Sequence, residues 1–196
     1  IQYCWGDDDS KPYILLAYGW GYNAGRWRHF VPSLVEAGYR VIAFDPPGHG
    51  HGPKGQLTLP ANAEIVQNII REYGKPAAII GHSFGGSAAI LAMHRLPPSL
   101  HANRIVAMAS FADAEGVFRD FQHRLGMREG LYQDYVRLTE SKVQAKIVDF
   151  DLAILSGKMA HIRGLVIHDP ADTTTDFKHA IRYQTYWPGS LLLAAH

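Results

Sequence analysis

Gly81-His82-Ser83-Phe84-Gly85-Gly86 sets a serine in a G-x-S-x-G spacing. Upstream, Pro76 to Ile80 reads as a short apolar strand, and downstream, Ser87 to Arg95 reads as an apolar helix. A serine on a tight strand-to-helix turn is forced outward at the strand's C-terminal end. The flanking glycines permit the strained backbone and the close helix–strand approach. The helix N-terminus beneath it presents unpaired N–H groups, which suit a developing oxyanion. The chemistry implied is nucleophilic attack by Ser83 on a carbonyl. The same turn also has a purely structural reading, and a glycine-rich turn before a helix can hold a phosphate. The phosphate reading needs G-x-G-x-x-G or G-x-x-x-x-G-K-[ST], and neither spacing occurs at this turn.

A serine nucleophile needs a base, and the base needs an orienting acid. Several histidines belong to other readings. His49-Gly50-His51 has the look of a chelate, but no third ligand has suitable spacing, so no metal is expected and the segment reads as a Gly-rich loop lining the site. His82 flanks the nucleophile and reads as pocket lining. His94, His101, His123 and His161 read as surface or satisfied core residues. His179, inside a helical stretch, reads as solvated surface, and Cys4 as a small buried residue without an activating partner.

The elements that must position Ser83 alternate between strand and helix, the pattern of a parallel sheet with helices on both faces. Strands are expected at Ile1 to Trp5, Pro12 to Ala17, Tyr39 to Phe44, Arg104 to Ala109, Ile162 to His168 and Ser190 to Ala195, besides the one before the serine. Helices are expected at Trp27 to Ala37 (closed by Gly38), Ala61 to Tyr73 and Lys178 to Trp187. Between Phe111 and Met159 apolar residues recur at helical spacing: Val117, Phe118, Phe121 and Leu125, then Leu131, Tyr135 and Leu138, then Leu152, Leu155 and Met159. This block reads as a helical insertion between two strands of one sheet, not as an independent domain.

With 196 residues, 47% of them hydrophobic and 19% charged, the chain is expected to be one globular domain. A net charge of +1 gives no reason to expect a nucleic-acid partner or an anionic membrane. The single cysteine cannot form an internal disulfide, so a reducing, cytoplasmic home is the default. No apolar run is long enough to span a bilayer, and the start lacks a signal-peptide pattern. The chain opens on Ile1 and stops at His196 directly after a strand-like run, so both ends read as cut. Oligomeric state has no signature.

In α/β-hydrolases the catalytic residues follow in the order Ser, Asp or Glu, His. The sequence resembles that family at four places. Tyr18-Gly19-Trp20-Gly21 stands where the family has His-Gly-x-Gly after a strand. Asp45-Pro46-Pro47-Gly48-His49-Gly50 resembles its Asp-x-x-Gly-x-Gly loop, Gly81 to Gly86 matches its nucleophile turn, and His168-Asp169-Pro170-Ala171-Asp172 resembles the segment carrying its acid. The resemblance implies an α/β fold: a mostly parallel, doubly wound sheet of the α/β-hydrolase type with a helical lid at about 111–159, all within a single domain, 1–196. It implies Ser83 as nucleophile and Asp172 as acid, with Asp169 and Asp113 as rivals. It implies an oxyanion hole from the amides of Phe84 and Trp20. The base is expected after the last strand, either beyond the end of this chain or at His196. The implied reaction is hydrolysis of small carboxylic esters through an acyl-enzyme without metal or organic cofactor. Phe111, Phe118, Phe121 and Tyr135 would form an apolar acyl or leaving-group pocket. Amide or thioester cleavage, perhydrolysis, and ligand binding without catalysis fit the same frame.

Overall fold

Tyr13–Ala17 and Arg40–Phe44 are almost wholly buried, mainly apolar runs, as strands covered on both faces must be. They are β2 and β3 of the structure, a computed structural model that describes residues 1–195. The remaining strands are β1 (Gln2–Trp5), β4 (Ala78–His82), β5 (Arg104–Met108), β6 (Arg163–His168) and β7 (Ser190–Ala194). They form one sheet in the order β1-β3-β2-β4-β5-β6-β7. Only β1 runs antiparallel to its neighbour, so the mostly parallel, helix-flanked sheet expected from the sequence is present.

The helices are α1 (Val31–Glu36), α2 (Leu59–Tyr73), α3 (Phe84–Arg95), α4 (Ala114–Leu125), α5 (Glu129–Val143), α6 (Leu152–Gly157) and α7 (Lys178–Tyr186). The single helix expected over Trp27 to Ala37 is two pieces, a 3-10 segment Ala24–His29 followed by α1. Pro32 explains the break: it lacks an N–H and its ring opposes a preceding helical turn, so it sits in the first turn of a new helix. The helix α2 starts two residues before Ala61, because Thr58 caps it by accepting the Ala61 amide at 3.3 Å.

The larger core lies between α2, α3, α6 and α7 and the face of the sheet carrying Leu15, Ile42, Ile79, Ile105 and Val166. The opposite face is covered over β2 and β3 by Trp27 and Val31. Across β4 to β7 the register aligns Ile80, Val106, Leu165 and Leu191 in one row. Ile80, Val106 and Leu165 are half-buried, whereas Leu191 at the edge strand is 73% exposed. Cys4, expected inside, is exposed, because β1 is the edge of the sheet and its alternate residues face solvent. Among the described residues no helix is long and apolar enough to cross a membrane.

Between β5 and β6 the chain passes through α4, α5, a 3-10 turn at Ile147–Phe150, and α6. Asp113 caps α4 by accepting the Gly116 amide, and Gly126 ends it in the left-handed conformation (φ 60°). Helix α6 lies against α3 and α7, in the layer that flanks the sheet.

The loop after β3 is organised by a buried carboxylate. Asp45 accepts the Ala24 amide at 2.7 Å, the His51 amide at 2.9 Å and the Tyr3 hydroxyl at 2.8 Å. Burial pushes its pKa up, but these donors outweigh burial and hold it below the usual carboxylate range. A group depressed in the folded state contributes stability above its unfolded value of about 3.9, and that stability is lost as pH falls through the folded pKa. Asp45→Asn is therefore expected to cost about 1–3 kcal/mol at neutral pH, since in either orientation its amide NH2 would face at least one backbone N–H donor. It is also expected to flatten the acid limb of stability against pH, as measured by urea unfolding at several pH values.

Candidate active site

The pleat of β4 ends at His82, and the next residue turns the chain into α3. Ser83 makes that turn with φ 50° and ψ −124°, backbone that a side chain normally avoids. Its amide is fixed to the Met108 carbonyl at 2.7 Å, and its carbonyl accepts the Gly86 amide at 3.0 Å and the Ser87 amide at 3.2 Å. The glycines around it are sterically required. A Cβ on Gly81 would lie 2.3 Å from the Gly86 Cα, and one on Gly86 would lie 2.1 Å from the Ser110 hydroxyl.

The loop after β2 runs past the serine. A Cβ on Gly19 would stand 3.0 Å from the Ser83 Cβ, so the next residue, Trp20, is held beside the turn. The Trp20 amide has no acceptor among the described residues. Phe84 opens α3, so its amide is one of those a helix cannot pair internally. The two rings meet edge to face, with centroids 5.3 Å apart, and Trp20 also meets His49 at 5.6 Å. The His49 ring is in turn hydrogen-bonded to the Pro47 carbonyl at 2.9 Å. Among the described residues, no group of His, Cys, Asp and Glu is arranged to hold a metal.

Ser83, Trp20 and Phe84 open onto a cavity of about 580 Å³. Phe111, Phe118, Phe121 and Tyr135 all line it, from the segment after β5 and from α4 and α5. Phe118 stacks on Tyr135 with centroids 5.0 Å apart. The walls are mainly apolar, as suits an acyl chain.

Asp172 does not line this cavity. It belongs to a smaller one of about 280 Å³ with Asp120, His123 and Arg124. One carboxylate oxygen accepts the Thr174 amide at 2.7 Å and the Thr175 amide at 3.0 Å, and the other lies 3.7 Å from His168 Nε2. His168 is itself bonded through Nε2 to the Thr175 carbonyl at 2.8 Å. Asp172 thus shapes the loop after β6, and its charge reaches His82. Burial lowers the pKa of that ring; Asp172 opposes the shift and Arg26 adds to it. His82 stands against Tyr18, with centroids 4.7 Å apart, and not in the cavity. Asp169 turns the same loop by accepting the Ala171 amide at 2.8 Å. His196 lies outside the described residues.

Asp113 sits 3.6 Å from His179 Nδ1 and 3.4 Å from Arg182 Nε. His179 is a correction to the sequence reading: it is 1% exposed and lines the cavity that holds Ser83. Its Nδ1 accepts the Ala112 amide at 3.2 Å. The missed signal was the inner stripe of α7. Ala180, Tyr183 and Trp187 follow at helical spacing and are all buried, which puts His179 on the inward side. His101 is also buried, whereas His161 is exposed.

Residues 14–191 match the model of a family described as the alpha/beta hydrolase family. The chain is 34% identical over 107 residues to a pimeloyl-[acyl-carrier protein] methyl ester esterase of Vibrio atlanticus, a match covering 54% of this chain and 39% of that protein. It is 31% identical over 111 residues to epoxide hydrolase A of Mycobacterium tuberculosis, covering 54% and 33%. The matches thus span well under half the length of these relatives. Among solved structures, it superposes on the monoacylglycerol lipase of Paleococcus ferrophilus with a TM-score of 0.70 at 20% identity, covering 100% of this chain and 88% of the lipase. An esterase from Exiguobacterium antarcticum gives 0.72 at 18% identity, covering 100% and 86%.

Proposed function

The chain belongs to the alpha/beta hydrolase family, and from that premise we propose that it is a serine hydrolase of small carboxylic esters, with Ser83 as nucleophile. The observation that carries this reading is the backbone of Ser83, turned to φ 50° between β4 and α3 at the mouth of a mainly apolar cavity. Strain of this kind persists only where the surrounding structure enforces it, and it serves to present a hydroxyl clear of its own strand. The similarity to a methyl ester esterase supports the same choice of bond.

In the proposed reaction the Ser83 oxygen attacks the ester carbonyl while a histidine removes its proton. The amides of Phe84 and Trp20 hold the oxyanion. The histidine then protonates the departing alcohol, leaving an acyl-serine, and water cleaves that ester by the same steps. The reaction uses only protein groups and water. Asp172 is assigned the role of orienting the base, which is drawn from His196 or from residues following it. The 196 residues act as one domain in which α4 and α5 cover the serine as a lid, while α6 stays with the sheet.

The test is labelling with a fluorophosphonate, mapped by peptide mass spectrometry, on this chain and on a version extended at its C-terminus. A label on Ser83 in either supports the reading; a folded, extended protein that never labels overturns it. If this chain labels, His196→Ala is expected to remove the label.

The cavity walls predict chain-length selectivity. Phe118→Ala deletes a ring stacked over the cavity. It is expected to shift the ratio of kcat/KM for octanoyl over acetyl p-nitrophenyl esters upward by about tenfold, since each added methylene gains about 0.8 kcal/mol where it is buried. An unchanged ratio would place the acyl chain elsewhere.

A further inference from the structure

At the opposite end of the sheet from Ser83 lies a third cavity, of about 340 Å³, whose charged lining is basic throughout: Lys75, Arg104 and Arg163, with His101 and His161. Arg104 opens β5 and Arg163 opens β6, and the two are register partners. Parallel strands lie about 4.8 Å apart, so their side chains leave the same face of the sheet next to each other. Like charges so placed repel. Neither arginine has a carboxylate partner among the described residues. With a net charge of only +1 for the whole chain, this is a local concentration of positive charge.

The two histidines beside the arginines are held in a defined arrangement. Their rings meet edge to edge, with centroids 5.1 Å apart and planes within 8° of each other. His101 Nε2 is 2.9 Å from the Leu96 carbonyl, and His101 Nδ1 is 2.9 Å from His161 Nε2. A carbonyl only accepts, so the proton of neutral His101 is on Nε2, and its Nδ1 accepts the His161 Nε2–H. The remaining nitrogen, His161 Nδ1, takes part in neither bond.

We propose that this cavity is a binding site for a phosphate dianion, free or as a monoester, clamped by the guanidinium groups of Arg104 and Arg163 with Lys75 and His161 closing the ring of donors. Guanidinium forks match phosphate oxygens in pairs, and two of them balance a dianion where a single carboxylate would leave one unpaired. The site is about one strand length, roughly 17 Å, from the serine turn, and is independent of the reaction proposed for Ser83.

Calorimetric titration of the chain at low ionic strength with inorganic phosphate, phenyl phosphate and acetate tests it. Saturable phosphate binding that weakens about tenfold or more in Arg104→Gln/Arg163→Gln is expected. Equal affinities for the two phosphates assign the site to the free ion, and tighter phenyl phosphate assigns it to a monoester. Absence of saturation up to about 10 mM, binding unchanged in the double variant, or acetate binding as tightly as phosphate overturns the proposal. An NMR titration of the His161 ring in the unmodified chain gives a readout independent of variant folding. Phosphate is expected to raise its midpoint, and an unmoved midpoint at saturating phosphate counts against the site.

Discussion

Ser83→Ala is expected to abolish fluorophosphonate labelling and to lower ester turnover by about 10⁴-fold or more, while leaving the protein folded. The hydroxyl is the only group removed, and none of the hydrogen bonds that fix the turn depends on it: they run through the Ser83 amide and carbonyl. Stability and activity should therefore separate. The positive φ of 50° opposes any Cβ, so alanine keeps the strain and glycine relieves it. Ser83→Gly is expected to be about 1 kcal/mol more stable than Ser83→Ala and equally inactive. Urea unfolding of the two variants beside labelling checks both halves. An alanine variant that still labels would move the nucleophile elsewhere. A glycine variant no more stable than alanine would mean that the surrounding contacts, and not the turn's own backbone, set the energy of this position.

The turn was legible because its requirements are local. Glycines at positions 81, 85 and 86 between an apolar strand and an apolar helix permit few other conformations, and the alternation of strand and helix gave the parallel sheet. What was not legible depends on distant partners. His179 lies on a helix whose inner stripe is readable, but only the packing of α7 beside the segment after β5 brings its ring to the serine's cavity. The acidic segment after β6 shows the limit from the other side. The spacing of Asp169 and Asp172 is equally good for a turn, and both carboxylates accept amides of their own loop. The break at Pro32 was readable in principle, and the exposure of Cys4 was not. One is a proline rule that periodicity alone ignores, and the other depends on which strand ends up at the edge.

Gly85→Ala is expected to be strongly destabilising, costing about 3–5 kcal/mol, a large part of the roughly 5–15 kcal/mol by which a domain is stable. The added Cβ would lie 2.3 Å from the Ala17 carbonyl oxygen and 2.6 Å from that of Tyr18. Both obstacles are backbone, one ending β2 and the other entering the loop that carries Trp20, so no side chain can swing aside. Relief requires moving α3 away from β2, which opens the larger core and displaces Phe84 and Trp20 from Ser83 together. Gly130 in α5 supplies the control. Nothing lies within 4 Å of a Cβ built there, so Gly130→Ala should gain about 0.5–1 kcal/mol from helix propensity alone. The same chemical change is thus expected to act with opposite sign at two helical glycines, and thermal and urea unfolding of both variants measures it. If Gly85→Ala unfolds like the parent, the helix and strand do not approach as closely as this geometry requires. The tight turn that presents Ser83 would then lose its steric basis.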